Sequence, residues 1–229
     1  MSEEPLTGVR ACVFDAYGTL FDYASAANRC RDVLGDRFDR LAMLWRDKQL
    51  QYTWLRAIQG RHADFWQVTG DALDYSLGML SIDDPALRHR LMNLYLTLDP
   101  FPEVPDVLGR LKAAAMKTAI LSNGAPEMLR AAVDAAGLRH LIDDILSVEE
   151  VGVYKPHPKV YQLAVDRLCV RPSAIAFQSS NAWDAYAASA FGMKVVWCNR
   201  YGLPHERLPG APDREVRSLS ALPALVGVA

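Results

Sequence analysis

The segment Val13-Phe14-Asp15-Ala16-Tyr17-Gly18-Thr19-Leu20-Phe21 places a carboxylate directly after an apolar run and before a glycine-containing turn. The apolar run reads as a buried strand, so Asp15 stands at its C-terminal tip, where open α/β sheets keep their ligand sites. Two residues on, position 17 is Tyr and not a second acid. A strand-end carboxylate lacking that acid reads as a nucleophile that works without a metal and attacks carbon rather than phosphorus. Three more polar clusters follow predicted strands: Ser122-Asn123-Gly124, Lys155, and Ser179-Ser180-Asn181 with Asp184. In a parallel sheet all strand C-termini share one edge, so the four clusters converge on one crevice. Taken singly, Ser-Asn-Gly is ordinarily a turn and a Lys before Pro is ordinarily solvated. Four such clusters at successive strand ends exceed what capping explains, because turns elsewhere use ordinary Gly, Pro and Asp.

The elements that must position these clusters are legible as alternation. Val9–Phe14 is a short apolar strand, and every segment from about Tyr23 to about Leu98 then reads helical. Arg37–Ile58 carries Leu41, Leu44, Trp45, Lys48, Tyr52 and Leu55 at helical spacing, with Gly60 as its stop. Asp64–Leu80 and Asp84–Leu96 follow, the latter with Pro85 at its first helical position. After residue 100, short apolar strands alternate with amphipathic helices, which predicts a doubly wound parallel Rossmann-like sheet. The expected fold class is therefore α/β, with an all-helical cap inserted after the first strand. Residues 1–20 plus 100–229 form the expected core domain and residues 21–99 the expected cap domain. Residues 199–213 read as loop, and Leu219–Val226 as a final short element.

A chain of 229 residues with 51% hydrophobic and 23% charged residues supports a packed core. The net charge is −2 with both signs dispersed, and no basic block points to nucleic acid. No apolar run approaches the ~20 residues of a membrane span, and the acidic start lacks a signal-peptide pattern. The four cysteines (Cys12, Cys30, Cys169, Cys198) show no CxxC spacing, so neither zinc nor a disulfide framework is indicated and a reduced, cytoplasmic setting is expected. The five histidines (His62, His89, His140, His157, His205) show no ligand spacing. On the helix around Arg46 a second apolar face, Met43, Leu50, Trp54 and Ile58, would meet either the cleft or a second subunit. A homodimer is expected on that basis, burial within one chain being the rival.

The motifs Asp15-x-Tyr17-Gly18-Thr19, Leu121-Ser122-Asn123-Gly124, Val153-Tyr154-Lys155-Pro156 and Ser179-Ser180-Asn181-Ala182-Trp183-Asp184 resemble the haloacid dehalogenase superfamily. Within it the match is nearest to the (S)-2-haloacid dehalogenases, which the segment Leu44–Arg56 also resembles. The likeness spans residues 9–200. It implies hydrolysis of short-chain (S)-2-haloalkanoic acids to (R)-2-hydroxyalkanoic acids through an aspartyl ester, with no cofactor and a small haloacid as partner. Asp15 would attack C2 and displace halide with inversion. Lys155 would hold Asp15 ionised and oriented, and Asp184 with Ser179 and Asn181 would orient or deprotonate the water. Thr19 would bond Asp15 or fix its turn. Ser122 and the backbone N–H groups of Ala16 and Tyr17 would bind the substrate carboxylate, while Arg46 and Asn123 would receive the halide. Tyr161 would position Lys155 or the carboxylate site, and Phe65 with Trp183 would wall the pocket.

The superfamily's phosphatases carry Asp-x-Asp and hold Mg²⁺ with acids at the last motif. Here Tyr17 replaces the second acid, and a halide leaves as a stable anion that needs no proton. Two positions depart from the dehalogenase pattern: Asp47, where Gln is common, and Gln178, where a small apolar residue is usual. Asp47 would either pair with Arg46 or face solvent. Thr19 and Ser180 also fit a structural role, Tyr17 a packing role through its backbone alone, Trp183 a core role, and Arg46 a surface ion pair. A Mg²⁺-dependent phosphatase, a hydrolase of another activated C2 centre such as a strained cyclic amino acid, and a non-enzymatic binding protein on the same fold stay open here.

Overall fold

The computed structural model describes residues 4–23 and 29–228. Its six-stranded sheet is wholly parallel, in the order β3-β2-β1-β4-β5-β6. The strands are β1 Ala11–Phe14, β2 Lys117–Ser122, β3 Asp144–Ser147, β4 Ile175–Ser179, β5 Lys194–Cys198 and β6 Arg214–Val216. β1 and β4 are buried along their whole length, which is why they read as unbroken apolar runs rather than alternating ones. Chain order runs outward from β1 to β2 and β3, then returns to β4 on the other side of β1. That reversal sets the topological switch point at the C-terminal end of β1, where Asp15 follows.

Among the described residues, three long helices follow β1 before residue 100: α1 Phe38–Gln59, α2 Phe65–Met79 and α3 Pro85–Leu94. Their ends follow their sequence signals. Gly60 closes α1 in the left-handed region (φ 63°), and Asp64 and Asp84 cap α2 and α3 by accepting from Gln67 N and Leu87 N at 2.8 and 2.9 Å. The remaining long helices, α4 Val104–Ala113, α5 Pro126–Ala135, α6 Pro158–Leu168 and α7 Ala182–Phe191, alternate with the strands as expected.

One expectation needs correcting, and one element was not expected. The buried stripe of α1 is Phe38, Leu41, Trp45, Gln49 and Thr53, while Leu55 is exposed and Lys48 sits at the flank over the Tyr75 ring at 4.2 Å. Gln49 and Thr53 can occupy interior positions because their polar atoms are hydrogen-bonded. Residues 199–213 are loop as expected, and a strand follows them, β6, which three residues with two charges do not announce. It lies at the sheet edge, where charged side chains are tolerated.

The two segments that join the inserted helices to the sheet run side by side. Asp22 N donates to Asp99 O and Phe101 N to Leu20 O, both at 2.9 Å.

Candidate active site

Asp15 is 6% exposed at the tip of β1, and its main-chain N–H donates to Gln178 O in β4. Its two carboxylate oxygens are held unequally. Oδ2 accepts from Thr19 Oγ1 (3.1 Å) and from Asn181 Nδ2 (2.9 Å). Among the described residues Oδ1 accepts only from Lys155 Nζ, at 3.2 Å. Thr19 does both things expected of it, since its hydroxyl also accepts from Ser180 N at 2.8 Å and so ties the β1 turn to the β4 turn.

Lys155 is 1% exposed and bridges two acids, its second bond running 2.8 Å to Asp184 Oδ2. Asp184 is fully buried on the first turn of α7, and its Oδ1 accepts from the Tyr161 hydroxyl at 2.7 Å. Tyr161 therefore positions Asp184, and reaches Lys155 only through it. Burial alone would lower the pKa of Lys155, but Asp15 and Asp184 outweigh burial and lift it above the ordinary lysine value. Burial raises the pKa of Asp184, and the charge of Asp15 adds to it, against the pull of Lys155 and the bond from Tyr161. One ammonium thus serves two buried carboxylates.

Arg46, from α1, reaches this cluster from above. It donates to Asn181 Oδ1 at 3.1 Å, so Asn181 joins Arg46 on one side to Asp15 on the other. Arg46 is thus directed inward and makes its polar contacts within the site. Asp47 is exposed, which answers the first departure in favour of solvent. Gln178 is fully buried, but the side-chain alternation of β4 sends it to the face opposite Phe177, whose ring lies 5.0 Å from Lys155 Nζ.

Ser122 and Asn123 close the other side. Ser122 Oγ accepts from Gly124 N at 3.1 Å, and Asn123 Oδ1 accepts from Lys155 N at 3.0 Å, leaving the Asn123 amide N–H groups to point elsewhere. No acceptor for the backbone N–H groups of Ala16 and Tyr17 is found among the described residues, so two donors stand beside Asp15. Ser179 Oγ accepts from Asn181 N at 3.2 Å and steadies the residue that touches Asp15.

Tyr17 is more than a backbone position. Its ring stacks on Phe65 (5.8 Å, 21°) and meets Tyr95 at 5.5 Å, and its hydroxyl has no partner among the described residues. Burial, Tyr95 and Asp15 push its pKa well up against Arg46, so the phenol is a neutral donor. The ring also explains Gly124, where a Cβ would come within 2.9 Å of Tyr17 and 2.8 Å of Leu129. Phe65 and Trp183 belong to different walls. Trp183 meets Trp54 edge-on at 5.5 Å and lines a groove of about 890 Å³ with Ile58, Tyr161 and Phe191.

Two residues of this site escaped the sequence reading. Gln49 accepts from Arg46 at 2.9 Å, its signal being a Gln three residues after Arg46 on one helix face. Arg200 lies two residues past β5 and donates to Thr19 O (2.8 Å) and Glu103 Oε1 (2.6 Å), with its guanidinium 3.7 Å from the Phe101 ring centroid. The strand-end rule that found the other clusters would have found it too, had residues 199–213 not been read as featureless loop. Arg200 fastens the turn after Asp15 to the segment leading out of the inserted helices. Arg200→Leu is expected to lower kcat about tenfold and stability by about 1–3 kcal/mol, since it strands a buried carbonyl and Glu103. Arg200→Lys should recover part of both; steady-state kinetics with thermal melting checks this, and unchanged kcat in the folded Leu variant would contradict it.

Among the described residues, no group of three or more His, Cys, Asp or Glu side chains is arranged to hold a metal ion. No helix of the described residues is long and apolar enough to cross a membrane.

Residues 9–192 match the family model for haloacid dehalogenase-like hydrolases. The chain is 48% identical over 221 residues to (S)-2-haloacid dehalogenase 1 of Pseudomonas sp. (strain CBS-3), covering 95% of this chain and 96% of that one. It is 45% identical to (S)-2-haloacid dehalogenase 4A of Burkholderia cepacia, with 93% of each covered. The solved structure of L-2-haloacid dehalogenase from Xanthobacter autotrophicus with chloropropionic acid covalently bound superposes with a TM-score of 0.87 at 39% identity, over 96% of this chain and 100% of that one. Fold, motif geometry and relatives agree: this chain belongs to the haloacid dehalogenase-like hydrolases, among the (S)-2-haloacid dehalogenases.

Proposed function

We propose that this chain hydrolyses short-chain (S)-2-haloalkanoic acids to (R)-2-hydroxyalkanoic acids through an ester on Asp15. The observation that carries the reading is the unequal dress of the Asp15 carboxylate. Oδ2 is committed to two donors, whereas Oδ1 has one and keeps a lone pair for attack. Attack by Oδ1 on C2 breaks the carbon–halogen bond, and both bonding electrons leave with the halide. The free N–H groups of Ala16 and Tyr17, with Ser122, receive the substrate carboxylate, and Arg46 with Asn123 receives the anion that forms. Water then adds to Cγ of the ester. Asp184 takes or directs its proton, with Lys155, Ser179 and Asn181 holding the geometry. The Cγ–Oδ1 bond then breaks, the departing alkoxide takes up that proton, and the hydroxy acid leaves with an oxygen that came from Asp15.

No step asks for a metal, and the halide leaves without a proton, so the reaction should proceed in EDTA. Chloride release from (S)-2-chloropropanoate with EDTA present tests the reading. Phosphate release from a generic phosphate ester, abolished by EDTA, would replace it with the phosphatase reading, and ring opening of a strained cyclic amino acid without halide turnover would replace it with the other rival.

Asp184 must be ionised for this role. Its pKa lies above the ordinary 3.8, so the acid limb of kcat/KM is expected above that value. Lys155 keeps its proton past the ordinary 10.5, so its loss should not limit activity below that pH. A pH profile with an acid limb at or below 3.8 would contradict the assignment of Asp184.

In this reading residues 21–99 are a cap domain over a core of residues 1–20 and 100–229, in a reducing cytoplasm. Met43 and Ile58 are 63% and 83% exposed on α1, and we place the contact with a second copy of the chain there. Sedimentation equilibrium should give a dimer for the wild type and a monomer for Ile58→Glu; a monomeric wild type would remove the dimer.

A further inference from the structure

Gln49 lies at the centre of α1 with no exposed surface, and both polar atoms of its side chain are engaged. Its Oε1 accepts from Arg46 at 2.9 Å and from the Tyr95 hydroxyl at 3.4 Å, and its Nε2 donates to Thr69 Oγ1 at 2.8 Å. Thr69, also fully buried, donates its one hydroxyl proton to Phe65 O at 2.6 Å. Thr69 can therefore only accept from Gln49, which fixes the orientation of the amide. The NH₂ must face Thr69, and the carbonyl must face Arg46. Trp45 Nε1 donates to Thr69 O at 2.9 Å, which locks the same point of α2 to α1.

We propose that Gln49 is the positioning residue for Arg46, and that its neutrality is the point of its chemistry. This inference rests on the assignment of Arg46 to the departing halide. A buried amide is tolerated only with its hydrogen bonds made, and this one uses them to aim a single guanidinium. Three elements, α1 through Gln49, α2 through Thr69 and the end of α3 through Tyr95, hold Arg46 against Asn181 and hence beside Asp15. A glutamate would fill the same space and make the same contact. It would also cancel the charge of Arg46 at short range, in a setting where water does not screen it. The amide orients the cation while leaving its charge free for the anion formed when the carbon–halogen bond breaks.

The experiment compares wild type, Gln49→Glu, Gln49→Leu and Thr69→Val, each confirmed folded by circular dichroism and thermal melting. The readouts are kcat and KM for (S)-2-chloropropanoate and the inhibition constant of bromide. Gln49→Glu is expected to lower kcat and raise the bromide constant by about 10- to 100-fold, the span of one charge-assisted contact, with KM little changed. Gln49→Leu should move both in the same direction, and Thr69→Val, which frees the amide to turn, by about two- to fivefold. A side chain that merely packs the interior would shift melting and leave the bromide constant of the folded variants at the wild-type value, and that result overturns the proposal. Should Gln49→Glu not fold, a wild-type bromide constant in Thr69→Val overturns it equally. If the wild type releases no halide from any 2-haloacid, the dehalogenase reading fails separately. Bromide binding to resting protein, followed by the NMR line width of the ion, still reads the effect of Gln49.

Discussion

Asp15→Asn is expected to abolish halide release, lowering kcat by about 10⁴-fold or more while the protein stays folded. An amide in place of the Asp15 carboxylate has no anionic oxygen to displace halide, and no other described carboxylate can take over the attack. Asp184 also pairs with Lys155, but it is fully buried and offers no open surface to a substrate carbon, whereas Asp15 is 6% exposed. The substitution conserves shape. Thr19 and Asn181 can still donate to the side-chain oxygen and Asp184 still pairs with Lys155, so the fold is kept, although the new NH₂ then faces Lys155 and lowers melting. Chloride release in EDTA checks the claim, and a folded Asp15→Asn variant within tenfold of wild type would end Asp15's candidacy as nucleophile.

Lys155→Met is expected to be the second largest effect, and to act on both rate and fold. Removing the ammonium leaves Asp15 and Asp184 facing each other without a shared cation, in a site where both are buried. Breaking a buried ion pair from one side typically costs about 3–5 kcal/mol. The rate should fall about 10³-fold, since the ionised nucleophile is no longer oriented. Acid should partly rescue the stability. Asp184 already carries a raised pKa, and without Lys155 it rises further. A group raised in the fold stabilises it below its unfolded pKa and loses that contribution as pH rises through the folded value. The melting deficit of the Met variant relative to wild type should therefore shrink between neutral pH and pH ~4. A deficit that is constant or grows on acidification would mean that Lys155 is not the shared counter-ion.

These effects follow from features that were unequally visible in the sequence. Asp15, Lys155 and Asp184 could be found because each follows an apolar strand, and a parallel sheet must bring such ends together. Strand and helix positions were legible for the same reason: buried strands here are short unbroken apolar runs, and Gly60, Asp64 and Asp84 mark helix ends chemically. The inward aim of Arg46 was expected from Met43, Leu50 and Trp54 on its helix face, but Met43 is exposed, and the contacts that turn Arg46 inward are Gln49 and Asn181. Gln49 was not legible, because a polar residue on a helix reads as solvated until its partners are known, and those partners lie on α2 and at the end of α3. Arg200 was hidden by a Gly- and Pro-rich loop that gives no periodicity. The division of labour between the two Asp15 oxygens lies outside any sequence pattern, since it depends on where Thr19, Asn181 and Lys155 stand in space.

The central claim is the ester on Asp15, and one isotope measurement addresses it most directly. With enzyme in excess over (S)-2-chloropropanoate in H₂¹⁸O, a single turnover should place ¹⁸O in the carboxylate of Asp15 and none in the released hydroxy acid. Peptide mass analysis of the segment holding Asp15, alongside the mass of the product, gives both halves of the answer. Label in the product of that first turnover, with Asp15 unlabelled, would mean that water attacks C2 itself and that Asp15 is not the nucleophile.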